Sequence, residues 1–464
     1  MKKERQEISF EENNSKCNTS NSNENKKLIS EFIHIKKIKT EKKQINNIFF
    51  HMIKVFLFEF ILIILPKKVL NGYSIELKVW KTGYQQILSN KYSGQKPSAI
   101  YINKEVQILR ENKVYIDKID YLINLEWEKP LTNFTDMFSD LESITSVKMN
   151  YITGYNCDMS YMFYNCFNLV NFTYNSYYNY SYLVGDTKGM FYNCISLSSF
   201  SFDTFYMNRF YYNYNSYSYI GRNMSYMFYN CQKLSSISLS KGIGYINDTR
   251  GMFYNCSSLL SIDISYFVTR NNYYSNISYM FYNCNQLLSL TLPSNFYIKD
   301  MNNIFYNCLY LPKINLNYFK GSSYYYVNMS RAFFNCSNLS GIEGNFYNIY
   351  ISDTREMFFN CTSLRYAYSS SSYSDNIYIK IRSQNVQVNM SLMFYNCKNL
   401  SNINIYSDSD NYILSNDVNS MFFNCISLTS VKLEKFYANF TNMSYMFYNC
   451  KNLKYFERND FKIL

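Results

Sequence analysis

The chain has 464 residues, enough for a large core or several domains, and its 47% apolar and 17% charged content excludes a wholly disordered protein. Thirteen cysteines in a chain of this length do not make a small disulfide scaffold, and the odd number leaves at least one thiol without a partner in the chain. The two histidines, His34 and His51, lie near the start, so the residues after them have no imidazole for Ser-His or Cys-His nucleophile pairs or for most zinc hydrolase sites.

The net charge of +12 divides unevenly: residues 1–71 hold 14 Lys or Arg against 8 acids, and the remaining 393 residues carry the other +6. A nucleic-acid binder concentrates basic side chains on its folded face, so this distribution argues against a nucleic-acid partner. Residues 1–47, rich in Lys, Asn, Glu and Ser, read as a disordered polar and basic leader. Residues 48–71 contain the apolar run Ile48 to Leu65, interrupted by His51, Lys54 and Glu59. As a helix this run reaches only about 27 Å, marginal for a bilayer core. Starting at Met52, the order Met-Ile-Lys, Val55 to Leu65, Pro66 has the layout of a signal peptide. Residues 48–71 are therefore read as a signal peptide or signal anchor, with residues 1–51 an over-extended gene start or the cytoplasmic part of the anchor. The competing reading is a buried amphipathic helix of a cytosolic protein. Residues 72–130 hold strand-like stretches at Ile75 to Val79, Ala99 to Ile102 and Val114 to Ile116, with Trp80 and Trp127, and predict a small β-rich cap domain.

From 131 to 464 the chain repeats. Eleven copies of a motif of the type Met-Phe-Tyr-Asn-Cys end on Cys166, Cys194, Cys231, Cys256, Cys284, Cys308, Cys336, Cys361, Cys397, Cys425 and Cys450, and a degenerate twelfth precedes them with Leu141 in the Cys place. Eight residues before the Cys every copy has Asn or Asp, a preferred helix N-cap, and apolar or Thr residues follow at seven, four and three before it. That spacing predicts a short helix of about two turns. Leu at plus three and apolar residues at plus six and plus eight predict a short strand with one buried face. Phe163, Cys166, Leu169, Phe191, Cys194, Leu197, Phe228, Cys231 and Leu234 exemplify the expected core ladder. One repeat cannot bury its apolar face alone, so the expectation is an α/β solenoid of about twelve strand plus short-helix units.

The motif Asn/Asp-Met-Ser-x-Met-Phe-Tyr-Asn-Cys-x-x-Leu-x-x-Ile-x-Leu resembles the repeats of BspA-like leucine-rich-repeat surface proteins, over about residues 131–460. The resemblance implies an exported or surface-displayed protein that binds host, matrix or neighbouring-cell components, and no enzymatic activity. Where that family commonly has Phe-Asp-Thr-Ser-Asn-Val-Thr between units, this chain has variable Tyr/Asn-rich text such as Tyr177 to Tyr182 and Tyr324 to Val327.

No Cys-x-x-Cys occurs, which removes zinc-type spacing, and the eleven repeat cysteines are read as buried structural thiols rather than a disulfide or metal ladder. No cofactor is expected. Asn133, Asn223, Asn276, Asn328, Asn389 and Asn442 stand in N-glycosylation sequons that equally suit an N-cap. The residue seven after each Cys should point outward between two buried strand positions. Thr173, Ser201, Ser238, Asp263, Thr291, Asn315, Glu343, Asn404 and Lys432 thus form a candidate partner-binding row, whose plain alternative is a solvated sheet. Tyr-rich inserts at Phe210 to Ile220 and Tyr368 to Ile377 are the other candidate surface. The functional expectation is a non-enzymatic secreted or cell-surface protein mediating adhesion or protein/glycan binding; the alternative is an intracellular, cytoplasmic leucine-rich-repeat scaffold for protein partners.

Overall fold

The structure, a computed structural model, describes residues 72–464 except residues 120, 152, 176–184, 202–221, 240–245, 268–273, 322–325, 344–348, 369–375, 382–386, 408–412 and 460–464. The polar leader, the apolar segment at 48–71 and the insert at 210–220 lie outside the described residues, as does most of the insert at 368–377. Among the described residues no helix is long and apolar enough to cross a membrane.

The repeats stack as a solenoid, with two strands in most coils. One strand follows the conserved Leu, as in Ser289–Thr291 and Lys313–Asn315, and pairs in parallel with its counterparts in adjacent coils, Ser261 to Asp263 with Ser289 to Thr291 for example. The other strand ends on the Asn or Asp eight before the Cys, as in Phe296–Asp300 and Tyr350–Asp353, and builds the five-stranded parallel sheets on the opposite side. This second sheet was hidden in the sequence because its strands are short and abut the expected helix.

The expected helices do not form. The described residues contain no α-helix, only a 3-10 turn at Leu316–Tyr318, so the units are strand plus turn and not α/β. The backbone between strands passes through the left-handed region twice in each copy, five and one residues before the Cys: Tyr279 and Asn283 at φ 57° and 58°, Asn303 and Asn307 at 54° and 58°, Glu356 and Asn360 at 56° and 61°. An α-helix of L-residues cannot contain such positions. The amides instead alternate their partners. In the coil around Cys284, Met280, Tyr282 and Cys284 donate to carbonyls three residues back, while Ile277, Tyr279, Phe281 and Asn283 donate at 2.8–2.9 Å to Asp300, Asn302, Ile304 and Tyr306 of the next coil. The i, i+3, i+4, i+7 apolar spacing is real, but it belongs to consecutive tight turns whose inward corners recur at that interval.

The Asn or Asp read as an N-cap does accept a backbone amide, two residues on: Ser160 N–H to Asp158 at 2.8 Å, Ser278 to Asn276 at 2.9 Å, Arg355 to Asp353 at 2.8 Å. It closes an Asx turn rather than a helix. The Asn just before each Cys tolerates positive φ, and its amide reaches along the stack: Asn193 to Asn165 at 2.8 Å, Asn307 to Asn283 at 2.9 Å, Asn335 to Asn307 at 2.8 Å. At the first copy Asp140 heads this column, accepting from Asn165 at 2.9 Å and pairing with Lys91 at 2.8 Å.

Inside the turns the twelve phenylalanines from Phe138 to Phe447 stack ring on ring, with centroids 5.3–5.6 Å apart along the whole series. Beside them Cys166, Cys194 and Cys231 lie fully buried with Leu169, Leu197 and Leu234, as do the repeat cysteines up to Cys425. The described cysteines are free thiols. Each repeat thiol donates to the Phe carbonyl of the preceding coil, Cys284 Sγ to Phe253 O at 3.1 Å and Cys336 Sγ to Phe305 O at 3.1 Å. Leu141 occupies the Cys place in the first copy, where no earlier coil supplies a carbonyl.

At the other end of the described chain, Ser74–Val79 pairs antiparallel with Ile123–Glu126 and with Ile144–Asn150, which in turn pairs in parallel with Asn171–Asn175. Ser74–Val79, Ile123–Glu126, Ala99–Ile102 and Glu105–Val106 therefore continue the strand sheet of the repeats, with Ile75, Leu77, Ile100, Ile123 and Leu125 buried, while Gly83–Gln86 and Lys113–Ile116 pair with each other.

Three outcomes test this construction by chemical unfolding. Asn307→Gly should cost less than Asn307→Ala, because Ala at a left-handed position is about 1 kcal/mol or more strained; a helix would reverse the order by about 1 kcal/mol. Phe281→Ala should lose about 3–5 kcal/mol, and Phe447→Ala, half-buried at the end of the series, distinctly less. The third concerns pH. Burial holds the repeat thiols above their ordinary value of 9.0, so the folded state retains these protons more tightly than the unfolded chain. Their contribution is complete below the unfolded value and is lost as pH rises above it, at about 1.4 kcal/mol per buried thiol per pH unit. With reductant present, the unfolding midpoint should fall steeply from about pH 8 to about pH 10, less steeply in Cys284→Ala.

Candidate functional site

The outward row is built by strand alternation. Thr173, Ser201, Ser238, Asp263 and Thr291 are exposed, and Asn315, Glu343, Asn404 and Lys432 are half-buried. Register places neighbours side by side: Ser201 beside Ser238, Asp263 beside Thr291, Asn315 beside Glu343, Asn404 beside Lys432. The same register adds Lys148 beside Thr173, Tyr368 beside Glu343 and Glu457 beside Lys432.

The row has two characters. Its first part carries hydroxyls and one acid, with Asp263 accepting the Ser265 amide at 2.9 Å. Its last part is cross-linked: Asn404 donates to Glu434 at 3.1 Å, and the Lys432 ammonium lies 3.1 Å from Glu434 and 3.6 Å from Glu457. Glu434, with Glu457 behind it, holds that ammonium above its ordinary value. The first part is thus the more exposed, while the last carries the ion pairs.

The six sequon asparagines sit in the Asx turns, Asn133 exposed and the others half-buried. Their Oδ1 atoms accept the amide two residues on, at 2.9 Å in Asn133, Asn276, Asn328 and Asn389, 3.0 Å in Asn223 and 3.1 Å in Asn442. The serine hydroxyls of three sequons also donate to Oδ1: Ser225, Ser278 and Ser391, at 2.6–2.7 Å.

A second surface feature escaped the sequence reading. The aromatic residue two before each Cys, from Tyr164 to Tyr448, stacks on its counterparts at 4.3–4.9 Å, as in Tyr192 on Tyr229, Tyr282 on Tyr306 and Phe359 on Tyr395. Its recurrence was visible in the motif, but the close coil-to-coil spacing that lets the rings stack comes from the turns. Burial by their neighbours pushes the Tyr254 phenol up to about 12 and raises that of Tyr192. Because each ring covers the next, the column presents edges and hydroxyls outward, not open faces for a planar ligand. Five before the Cys, Tyr161 and Tyr226 lie over Gly189 and Gly251; a Cβ on Gly189 would come within 2.5 Å of the Tyr161 ring, and its φ is +57°. Lys188 and Arg250 cover those two tyrosines at 5.6 and 5.4 Å. Among the described residues no three His, Cys, Asp or Glu side chains converge as a metal site would require.

A family model described as BspA type Leucine rich repeat region (6 copies) matches residues 159–276, 190–316, 268–378 and 366–461. No curated protein matches the chain. Similar solved structures include a leucine-rich repeat protein from Bacteroides ovatus, 16% identical, covering 80% of this chain and 100% of that one at a TM-score of 0.32. A leucine rich cell surface protein from Faecalibacterium prausnitzii is 15% identical, with 79% and 96% covered and a TM-score of 0.29. An internalin from Listeria monocytogenes is 13% identical, with 63% and 81% covered and a TM-score of 0.22. The family match spans well over half of the sequence and coincides with the coils that carry the Phe, Cys and Asn columns: the chain belongs to the BspA-type leucine-rich-repeat family.

Proposed function

We propose that this chain is a non-enzymatic, secreted or surface-displayed adhesion protein that recognises a protein or glycan partner through its outward strand row. The observation that carries the reading is the first part of that row. Thr173, Ser201, Ser238, Asp263 and Thr291 are exposed on short strands whose inner neighbours are pinned in the core, so the scaffold presents them with little freedom to lose on binding. The signal-like apolar segment favours export. The free thiols favour the second reading, an intracellular scaffold, since exported chains commonly oxidise their cysteines. Thiols sealed inside a solenoid are nevertheless silent in either compartment. In the sequons the asparagine oxygen serves the Asx turn in every case, and a glycan on Nδ2 would leave that acceptor in place; exposed Asn133 is the best placed to carry one.

Biotinylation of intact cells should label the protein, and labelling only after lysis would favour the scaffold. For the row, the full chain is to be tested against immobilised extracellular-matrix proteins and cell-surface glycoproteins. The double variant Thr173→Arg, Thr291→Arg should lose binding by about tenfold or more with an unchanged unfolding midpoint. Undiminished binding would remove the row from the proposal.

A further inference from the structure

The outward row does not stop at the first repeat. Strand register carries it from Thr173 to Lys148, Glu76, Asn124 and Tyr101, across the sheet formed with residues 74–126. At its far end lies a cavity of about 410 Å³ lined by Glu76, Tyr101, Asn103, Lys104, Leu122, Asn124 and Glu126, within the size range of small-ligand sites. Alternation explains the lining: Ile75, Ile100, Ile102, Ile123 and Leu125 point into the core, so the residues between them face out. Asn103 and Lys104, both at positive φ (48° and 70°), form the two-residue turn joining Ala99–Ile102 to Glu105–Val106, a stiff lip on the cavity.

The chemistry of the lining is specific. The Asn124 Oδ1 atom is buried and accepts no hydrogen bond, while its Nδ2 donates to Glu126 Oε1 at 2.6 Å. Burial raises the Glu126 carboxyl above its ordinary value. Glu76 is already neutralised, with Lys148 Nζ at 3.2 Å and the Asn150 amide at 2.8 Å from Oε1. The cavity thus offers the Glu126 carboxylate, oriented by Asn124, beside Tyr101 and the exposed Leu122 side chain. Of the charged lining residues, Glu76 is paired with Lys148, and Lys104 and Glu126 bring one charge of each sign. A ligand with hydroxyls along its edges and an apolar face matches: hydroxyls donate to the Glu126 carboxylate, and C–H groups lie against Tyr101.

We propose that this cavity binds a pyranose unit of a neutral saccharide, and that a longer saccharide leaves it along the row toward Thr173. This deepens the glycan arm of the proposed function and rests on it, but the cavity itself uses residues separate from Thr173 and Thr291.

The test is calorimetric titration of the full chain with neutral tetrasaccharides of glucose, mannose, galactose and N-acetylglucosamine. At least one should bind, about tenfold or more weaker in Tyr101→Ala and several-fold weaker in Glu126→Gln; Tyr101→Phe, which keeps the ring, should stay within about threefold. The single variant Thr291→Arg, which leaves the cavity and the path toward Thr173 unchanged, should retain tetrasaccharide binding, so an effect on the row beyond Thr173 and loss of the saccharide site register separately. The proposal fails if none of the four saccharides binds, or if Tyr101→Ala binds as the parent does. It also fails if spermidine binds instead, insensitive to Tyr101→Ala and abolished by Glu126→Gln, which would make the cavity a cation site.

Discussion

The structure depends on a backbone that turns left twice in every repeat. With residues five and one before the Cys in the left-handed region, alternate amides point along the stack and find carbonyls in the next coil. A helix would have consumed those amides within one unit and left only side chains to hold the coils together. Here the hydrogen bonds are between units, so no coil is complete without its neighbour, and the stack is held by backbone as well as by side chains.

The side-chain columns follow from that geometry. Turns that superpose coil on coil put identical residues in line, and three chemistries use this differently. Phenylalanine rings fill the interior by stacking, asparagine amides link outside the turn, and cysteine supplies a small apolar body whose weak donor meets a carbonyl already holding one amide. Serine at that place would add a fully polar hydroxyl to an apolar interior, and alanine would leave the carbonyl's second lone pair unused.

Much of this was legible in the sequence. Repeat positions, the buried Phe, Cys and Leu, the strand after Leu and the outward row all follow from periodicity, because periodicity reports which face is buried. What it does not report is the sign of φ. Met-x-x-Met-Phe-x-x-Cys suits a helix and a run of tight turns equally, and the discriminating residue was the invariant Asn before the Cys, a poor helix former that tolerates the left-handed region. Reading it as the turn residue would also have predicted the aromatic column beside it. The cavity near Asn124 was out of reach, because it depends on non-local strand pairing between residues 74–126 and the first repeats.

The directional bonding between coils bears on how such a chain changes over generations. Every interior coil offers the same amides forward and the same carbonyls backward, so duplicating or deleting a whole unit by unequal recombination rejoins matching surfaces and disturbs no interior contact. The first coil is different: Asp140 accepts from the next coil but pairs with Lys91, which lies outside the repeats. Repeat number can therefore drift while that starting coil stays fixed, and the number of row positions offered to a partner drifts with it.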